Sequence, residues 1–175
     1  SGAGRRLADW PEMQSNVIPF ISGEEEKSEW EPLKVWGKLR EDRIELARKP
    51  LISSQCFRVP VEFGHMAAVF VRFRRPIEAT DILMRWRDFS SIVGEANLPS
   101  APRPFIRYFE ETDRPQPKYD VSSRRGMGIS IGRLREDPIF DYKFVCLSHN
   151  LVRGAAGGAV LTAELLIHQG WISHS

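Results

Sequence analysis

Short runs of apolar residues, separated by proline, glycine and charged residues, recur along most of the chain. In the middle and second half these runs are rich in valine, isoleucine and phenylalanine and alternate in part with polar residues, as half-buried β-strands do. The pattern predicts strands over residues 57–61, 67–73, 105–109, 126–135 and 139–147. Asp137 and Pro138 lie between the last two, so we expect a turn there and an antiparallel pair.

Other segments have the pattern of helices, and they cover residues 24–38, 77–89 and 155–169. Ser22 with Glu25 three residues later resembles a capping box at the start of the first helix. Pro32 predicts a kink or a break within that helix. Gly170 is expected to end the last helix. Helices and mixed strands in this order predict an α+β fold with one open sheet.

Composition narrows the class of protein. The 175 residues suffice for a substantial core, and we assign residues 1–175 to one domain. A formal net charge of +2, without a basic stripe among aromatic residues, argues against nucleic-acid binding. No stretch reaches the length of a membrane span or has the pattern of a signal peptide, so we expect a cytoplasmic protein without a membrane partner. Cys56 and Cys146 are expected to be buried, reduced thiols.

Candidate chemistry concentrates around Arg58 and His65, which lie seven positions apart with Pro60 and Gly64 between them. An arginine fork suits a carboxylate, and a histidine suits proton transfer near neutral pH. The pair therefore predicts a pocket for a small anionic substrate. The alternatives are that Arg58 is a surface residue of a strand and that His65 is a structural histidine.

Several other motifs are absent or carry little information. No spacing of cysteine and histidine fits zinc, so no metal site is expected. No strand-bounded G-x-G-x-x-G unit and no G-x-S-x-G motif occurs. On composition alone, the charged run at residues 24–27 indicates the start of a helix. The small residues within 148–158 permit close packing or the close approach of a ligand to a helix start.

Taken together, these segments resemble aspartate-semialdehyde dehydrogenase, in particular its archaeal and fungal branch. The matching segments run in order along nearly the whole chain. They are Ser-Gly-Ala-Gly at 1–4, Asn-Val-Ile-Pro-Phe-Ile-Ser-Gly-Glu-Glu-Glu-Lys at 16–27, Cys-Phe-Arg-Val-Pro-Val at 56–61, Gly-His at 64–65, Leu-Pro-Ser-Ala-Pro at 98–102, Asp-Arg-Pro-Gln-Pro at 113–117, and 148–157.

The resemblance implies a fold and an activity. The matching part of the family enzyme is its C-terminal catalytic and dimerisation domain, which is similar to the second domain of glyceraldehyde-3-phosphate dehydrogenase. We therefore expect an open, mixed, largely antiparallel sheet with helices packed on one face, and a homodimer formed through that sheet. The complete family enzyme uses NADPH to reduce aspartyl phosphate through a cysteine thioester.

The resemblance also implies roles for single residues. Arg58 matches the residue that grips the substrate carboxylate, and His65 matches the acid/base. Glu24 matches the contact to the substrate amino group, and Lys27 matches the phosphate contact. A small anionic substrate is the partner that these roles require.

Cofactor contacts are implied at Ser1, Gly2 and Asn150, and NADP is the cofactor of a complete enzyme. The family's N-terminal NADP-binding domain and its nucleophilic cysteine have no counterpart in this sequence, and Cys56 does not match that cysteine. We therefore expect neither redox activity nor a cofactor requirement for the isolated chain.

Three interpretations remain open on the sequence. The chain is the substrate-binding and dimerisation domain of an aspartate-semialdehyde dehydrogenase, which the retained site residues favour. Alternatively, it is a naturally truncated homologue repurposed for non-redox acid/base chemistry such as cyclisation, isomerisation or elimination. The third interpretation is a non-catalytic dimer module.

Overall fold

The computed structural model describes residues 6–172. Ser1 and Gly2, two of the predicted cofactor contacts, lie outside this range. The described residues form two compact units, one ending at Pro60 and one beginning at Val61.

The first unit contains one long helix and a short hairpin. Its elements are 3-10 turns at Leu7–Asp9 and Pro11–Met13, α1 (Glu24–Val35), and the antiparallel strands β1 (Lys38–Leu39) and β2 (Ile44–Glu45). Three glutamates in the first turn of α1 and Lys34 in the last complement the helix dipole. The helix continues through Pro32 and ends at Val35, three residues before the predicted end.

Two local predictions for the first unit are wrong. The predicted capping box does not form, because the N-cap of α1 is Gly23, with φ +73° and no side-chain cap. Nothing lies within 4 Å of a β-carbon built on Gly23, so its left-handed backbone alone explains the glycine. The predicted strand over 57–61 is reduced to one bridge, in which Arg58 and Ile18 exchange backbone hydrogen bonds of 2.8 and 3.0 Å.

The second unit is built on a 4-stranded sheet in the order β3-β6-β5-β4. The strands are β3 (His65–Val71), β4 (Ile106–Phe109), β5 (Ile129–Glu136) and β6 (Tyr142–Ser148). β6 pairs antiparallel with β3 and β5, whereas β4 pairs parallel with β5. The sheet is therefore mixed and largely antiparallel, and the predicted α+β class and the pairing of the last two strands are confirmed.

Helices complete the second unit. They are α2 (Ala79–Arg87), α3 (Ile92–Glu95), α4 (Pro117–Asp120), and a π-helical turn (Val152–Ala156) that leads into α5 (Gly157–His168). Trp86 of α2 packs on the sheet, with its ring centroid 5.0 Å from that of Phe144. Leu161 of α5 forms a buried core cluster with Leu98 and Met127. Within residues 6–172, no helix has the length and apolar character to cross a membrane.

Candidate functional site

The first turn of α1 carries two of the predicted site residues side by side. Nζ of Lys27 donates a hydrogen bond of 3.0 Å to Oε1 of Glu24, one turn earlier. Both side chains are exposed, with 53% of Lys27 and 40% of Glu24 accessible. The hydrogen bond to Glu24 is the main reason that the pKa of Lys27 is raised, so the ammonium stays charged at neutral pH. The pair offers one cation and one anion to a zwitterionic ligand.

Glu25 and Glu29, on the same helix, hold a neighbouring segment in place. The Glu25 carboxylate accepts a 2.8 Å hydrogen bond from the backbone N–H of Cys56. The Glu29 carboxylate accepts one of 2.9 Å from the N–H of Ser54. The Ser54 hydroxyl donates to the backbone oxygen of Glu25 at 3.0 Å. The sequence indicates only a charged helix start for Glu25 and no role for Glu29, because nothing local reveals a partner about thirty residues away.

This clamp fixes the chain just before Arg58. The backbone of Arg58 is further held by its bridge to Ile18, and its guanidinium lies 5.7 Å from the ring centroid of Trp10. Arg58 is half-buried rather than exposed. Helix α1 therefore carries Glu24 and Lys27 and also holds, through Glu25 and Glu29, the segment that precedes Arg58.

In the second unit, His65 and Asn150 are linked through Gly64. His65 begins β3 and faces Ser148 in the antiparallel register. The N–H of Gly64 donates to Oδ1 of Asn150 at 2.9 Å. Gly64 has φ +113°, and a β-carbon there would lie 2.9 Å from Cδ1 of Leu147, so glycine is required. The exposed His65 is therefore anchored next to the loop that carries Asn150.

The loop after β6 leaves one polar group without a partner. Nδ2 of Asn150 is buried and has no hydrogen-bond partner among the described residues. His149 organises the loop, since its Nδ1 accepts hydrogen bonds from the N–H groups of Leu151 and Val152 at 3.2 and 3.3 Å. A buried amide donor without an acceptor costs free energy unless a ligand satisfies it. The site is thus suited to a ligand with a carbonyl oxygen, such as a carboxamide.

The two cysteines are free thiols, as predicted, but both are half-buried rather than buried. Burial in β6 raises the pKa of Cys146, which disfavours the thiolate that a nucleophile requires. Cys56 lies outside the strands, and its N–H donates to the Glu25 carboxylate. Within residues 6–172, no cluster of three or more metal-ligating side chains occurs.

Comparison with known proteins now defines the class. Residues 8–153 match the family model described as semialdehyde dehydrogenase, dimerisation domain. The chain belongs to this family. Its relatives include the aspartate-semialdehyde dehydrogenases of Archaeoglobus fulgidus, with 42% identity over 97% of this chain, and of Aspergillus fumigatus, with 41% identity over 98%. The resemblance to the archaeal and fungal branch is confirmed.

Solved structures give the same assignment. The aspartate-semialdehyde dehydrogenase of Candida albicans, solved with NADP, superposes with a TM-score of 0.83 at 37% identity and covers 97% of this chain. Aspartate-semialdehyde dehydrogenase II of Vibrio cholerae, complexed with ASA, gives 0.66 at 26% identity over 87%. The chain spans 48% and 49% of the length of the two relatives named above, 48% of the Candida chain and 41% of the Vibrio chain. It corresponds to their dimerisation domain, which favours this interpretation over a repurposed homologue.

Proposed function

We propose that this chain supplies the substrate-binding and dimerisation part of an NADP-dependent aspartate-semialdehyde dehydrogenase. The observation that carries the proposal is the arrangement in the first unit, where one helix holds Glu24, Lys27 and, through Glu25 and Glu29, the segment before Arg58. A substrate with a carboxylate, an amino group and a phosphate needs two cations and one anion, and these residues provide them. The family match over residues 8–153 supports the same activity.

The proposed binding roles follow from charge and geometry. Arg58 binds the carboxylate through its planar fork, which donates two parallel hydrogen bonds. Glu24 accepts from the substrate ammonium, and Lys27 binds the phosphate as a compact point charge. Substrate binding breaks the Glu24–Lys27 ion pair. Glu24 then contacts the substrate ammonium, and Lys27 contacts the phosphate.

His65 is the proposed acid/base. It is exposed at the start of β3, where a ligand has access to its ring. Its backbone is fixed by the pairing with Ser148 and by the hydrogen bond between Gly64 and Asn150. The fixed backbone sets the position from which the ring can accept a proton and return it.

Asn150 is the proposed cofactor contact within the described residues. NADP brings hydride-transfer chemistry when it is bound. The buried Nδ2 of Asn150 is a donor suited to the carboxamide oxygen of a nicotinamide, while Oδ1 remains occupied by the N–H of Gly64. The residues present therefore fit this group. Ser1 and Gly2 remain predicted contacts.

The same proposal includes a homodimer. Met66 and Phe70 lie on one face of the edge strand β3, because alternate residues of a strand share a face, and they are 46% and 54% exposed. Phe140 adjoins them, with its ring centroid 6.2 Å from that of Phe70. An exposed apolar patch of this kind is typical of an interface. The two free thiols support a reducing, cytoplasmic location.

The test of the site uses the intact protein with NADP, phosphate and aspartate semialdehyde. Arg58→Gln should raise the Kd for a small carboxylate such as succinate on the order of a hundredfold, because a charge-assisted pair is worth about 2–3 kcal/mol. His65→Ala should leave that Kd unchanged and remove any turnover that the protein has. Arg72→Gln, at the residue after the end of β3, is the control and should change neither. Unaltered succinate binding by Arg58→Gln would overturn the assigned role.

A further inference from the structure

A second basic cleft lies in the second unit and plays no part in the site described above. It has a volume of about 470 Å³ and is lined by the segment around Leu98 and Ser100, together with Arg103, Arg124 and Arg125. The volume lies within the range of clefts that bind small ligands. The guanidinium groups come from two separate segments, so the fold brings them together.

The backbone at two of these arginines is unusual. Arg124 and Arg125 have φ +51° and +58°, and Gly126 follows with φ +78°. Consecutive left-handed residues close a tight turn, in which the N–H of Gly126 donates to the backbone oxygen of Ser122 at 3.1 Å. A left-handed conformation is unfavourable for arginine, whereas glycine and asparagine adopt it at little cost. The turn would be more stable with other residues, and such strain is commonly retained where it serves a site.

The charge of the cleft is weakly compensated. No carboxylate lines it, and within residues 6–172 neither Arg124 nor Arg125 forms an ion pair. Arg103 makes only a long hydrogen bond of 3.4 Å to the backbone oxygen of Gly94. Glu164 is engaged by Ser100, whose N–H and hydroxyl donate to its carboxylate at 2.9 and 2.7 Å. Three arginines therefore line the cleft, with no carboxylate among the lining residues.

We propose that this cleft binds a small molecule that carries two or more adjacent phosphate groups. Guanidinium forks bind phosphate oxygens in pairs, and three cations from two segments match a ligand that carries several negative charges. The Ser100 hydroxyl donates to Glu164, so it can accept but is not an additional donor for the anion. The lining residues of the cleft are not among the residues of the proposed dehydrogenase site.

The experiment is calorimetric titration of the intact protein with sodium tripolyphosphate, in an Arg58→Gln/Lys27→Gln background that disables the other anion site. The background protein should bind one tripolyphosphate per chain, with an affinity that falls as salt is added. Arg124→Asn/Arg125→Asn removes both guanidinium groups and introduces asparagine, which tolerates the left-handed backbone. It should weaken binding about a hundredfold, roughly tenfold per lost guanidinium. Arg74→Gln/Arg75→Gln removes another exposed arginine pair of the same unit and should leave the affinity unchanged.

A second variant and a second ligand keep the result interpretable. Arg103→Gln lies outside the strained turn and should weaken binding about tenfold without altering the thermal midpoint. If ATP binds as tightly as tripolyphosphate, the cleft contacts the phosphate groups alone. If ATP binds more tightly, the apolar wall near Leu98 also contacts the nucleoside. Equal losses in the Arg124/Arg125 and Arg74/Arg75 variants, or the absence of saturable binding in the background protein, would overturn the proposal. If Arg58→Gln no longer binds succinate but still binds tripolyphosphate, the two ligands occupy different sites.

Discussion

At the scale of single residues, Gly64 has the most demanding position near the candidate site. Its φ of +113° is open to glycine and to almost no other residue, and the space for a β-carbon is taken by Leu147, which is 1% exposed. Its N–H also orients Asn150. The sequence indicates a functional glycine at this position, but the partner of its N–H is visible only in the fold.

Gly64→Ala should therefore destabilise the protein by about 2–4 kcal/mol, since backbone strain adds to displacement of a buried leucine. Gly170→Ala is the matched control, because Gly170 has φ +76° and nothing within 4 Å of an added β-carbon. It should cost only about 1 kcal/mol. Urea denaturation of the two variants measures the difference. Equal costs would show that the contact with Leu147 is relieved without penalty.

At the scale of elements, the hairpin between β5 and β6 depends on Asp137. Its carboxylate accepts hydrogen bonds from the N–H groups of Phe140 and Ile139, at 2.9 and 3.0 Å, and forms a 2.9 Å ion pair with Lys143. The backbone N–H of Phe140 and then Lys143 lower the pKa of Asp137 from 3.8 to about 2. The turn that sequence placed at Asp137–Pro138 is thus held by a side chain that caps it.

The lowered pKa predicts a pH dependence of stability. The contribution of Asp137 should be fully present above pH 3.8 and should be lost as the pH falls towards 2, since the unfolded chain takes up the proton first. Asp137→Asn should flatten this part of the stability profile, as measured by urea midpoints between pH 2 and pH 7. Lys143→Met should flatten it less, because the bond from the Phe140 N–H is the larger cause. A profile unchanged by Asp137→Asn would assign acid unfolding to other carboxylates.

At the scale of the whole molecule, Met66, Phe70 and Phe140 form the exposed apolar patch proposed as the dimer interface. The family resemblance predicts an interface through the sheet. In the fold, Ile131 and Leu147 of the inner strands β5 and β6 are buried, at 6% and 1% exposure, whereas Met66 and Phe70 of the edge strand β3 are exposed.

Phe70→Lys should convert the proposed dimer to monomers, because an ammonium opposite its own copy across a two-fold axis is both desolvated and repelled. Sedimentation equilibrium at micromolar concentration measures the change. Arg87→Glu, an exposed charge on α2, is the control and should leave the dimer intact. A monomeric parent protein would remove the dimer from the proposed function.

The isolated chain of residues 1–175 should not reduce NADP with aspartate semialdehyde and phosphate. A thioester requires a thiolate, and burial raises the pKa of Cys146. The measurement is NADPH absorbance with the chain alone. Turnover that persists in a Cys56→Ser/Cys146→Ser variant would contradict this expectation, and turnover lost in that variant would assign the nucleophile to one of these thiols.

The sequence by itself determined the family, the α+β class and the segments that form β3 to β6, α2 and α5. These depend on hydrophobic periodicity and on motifs that are contiguous in the chain, and both can be read locally. The sequence did not determine where each element begins and ends. The segment at Arg58 forms a single bridge instead of a strand, and Gly23 instead of Ser22 is the N-cap of α1. Local propensity does not record which backbone partner is within reach.

Only the tertiary structure decided how the site residues are held. Glu25 and Glu29 reach Cys56 and Ser54 across about thirty residues, and Asn150 accepts from Gly64 across eighty-six. The cleft of Arg103, Arg124 and Arg125 likewise joins two segments that the sequence gives no reason to connect. Such contacts arise when distant segments pack, and the free energy that selects them comes from burial and hydrogen bonding in the assembled fold rather than from any one segment.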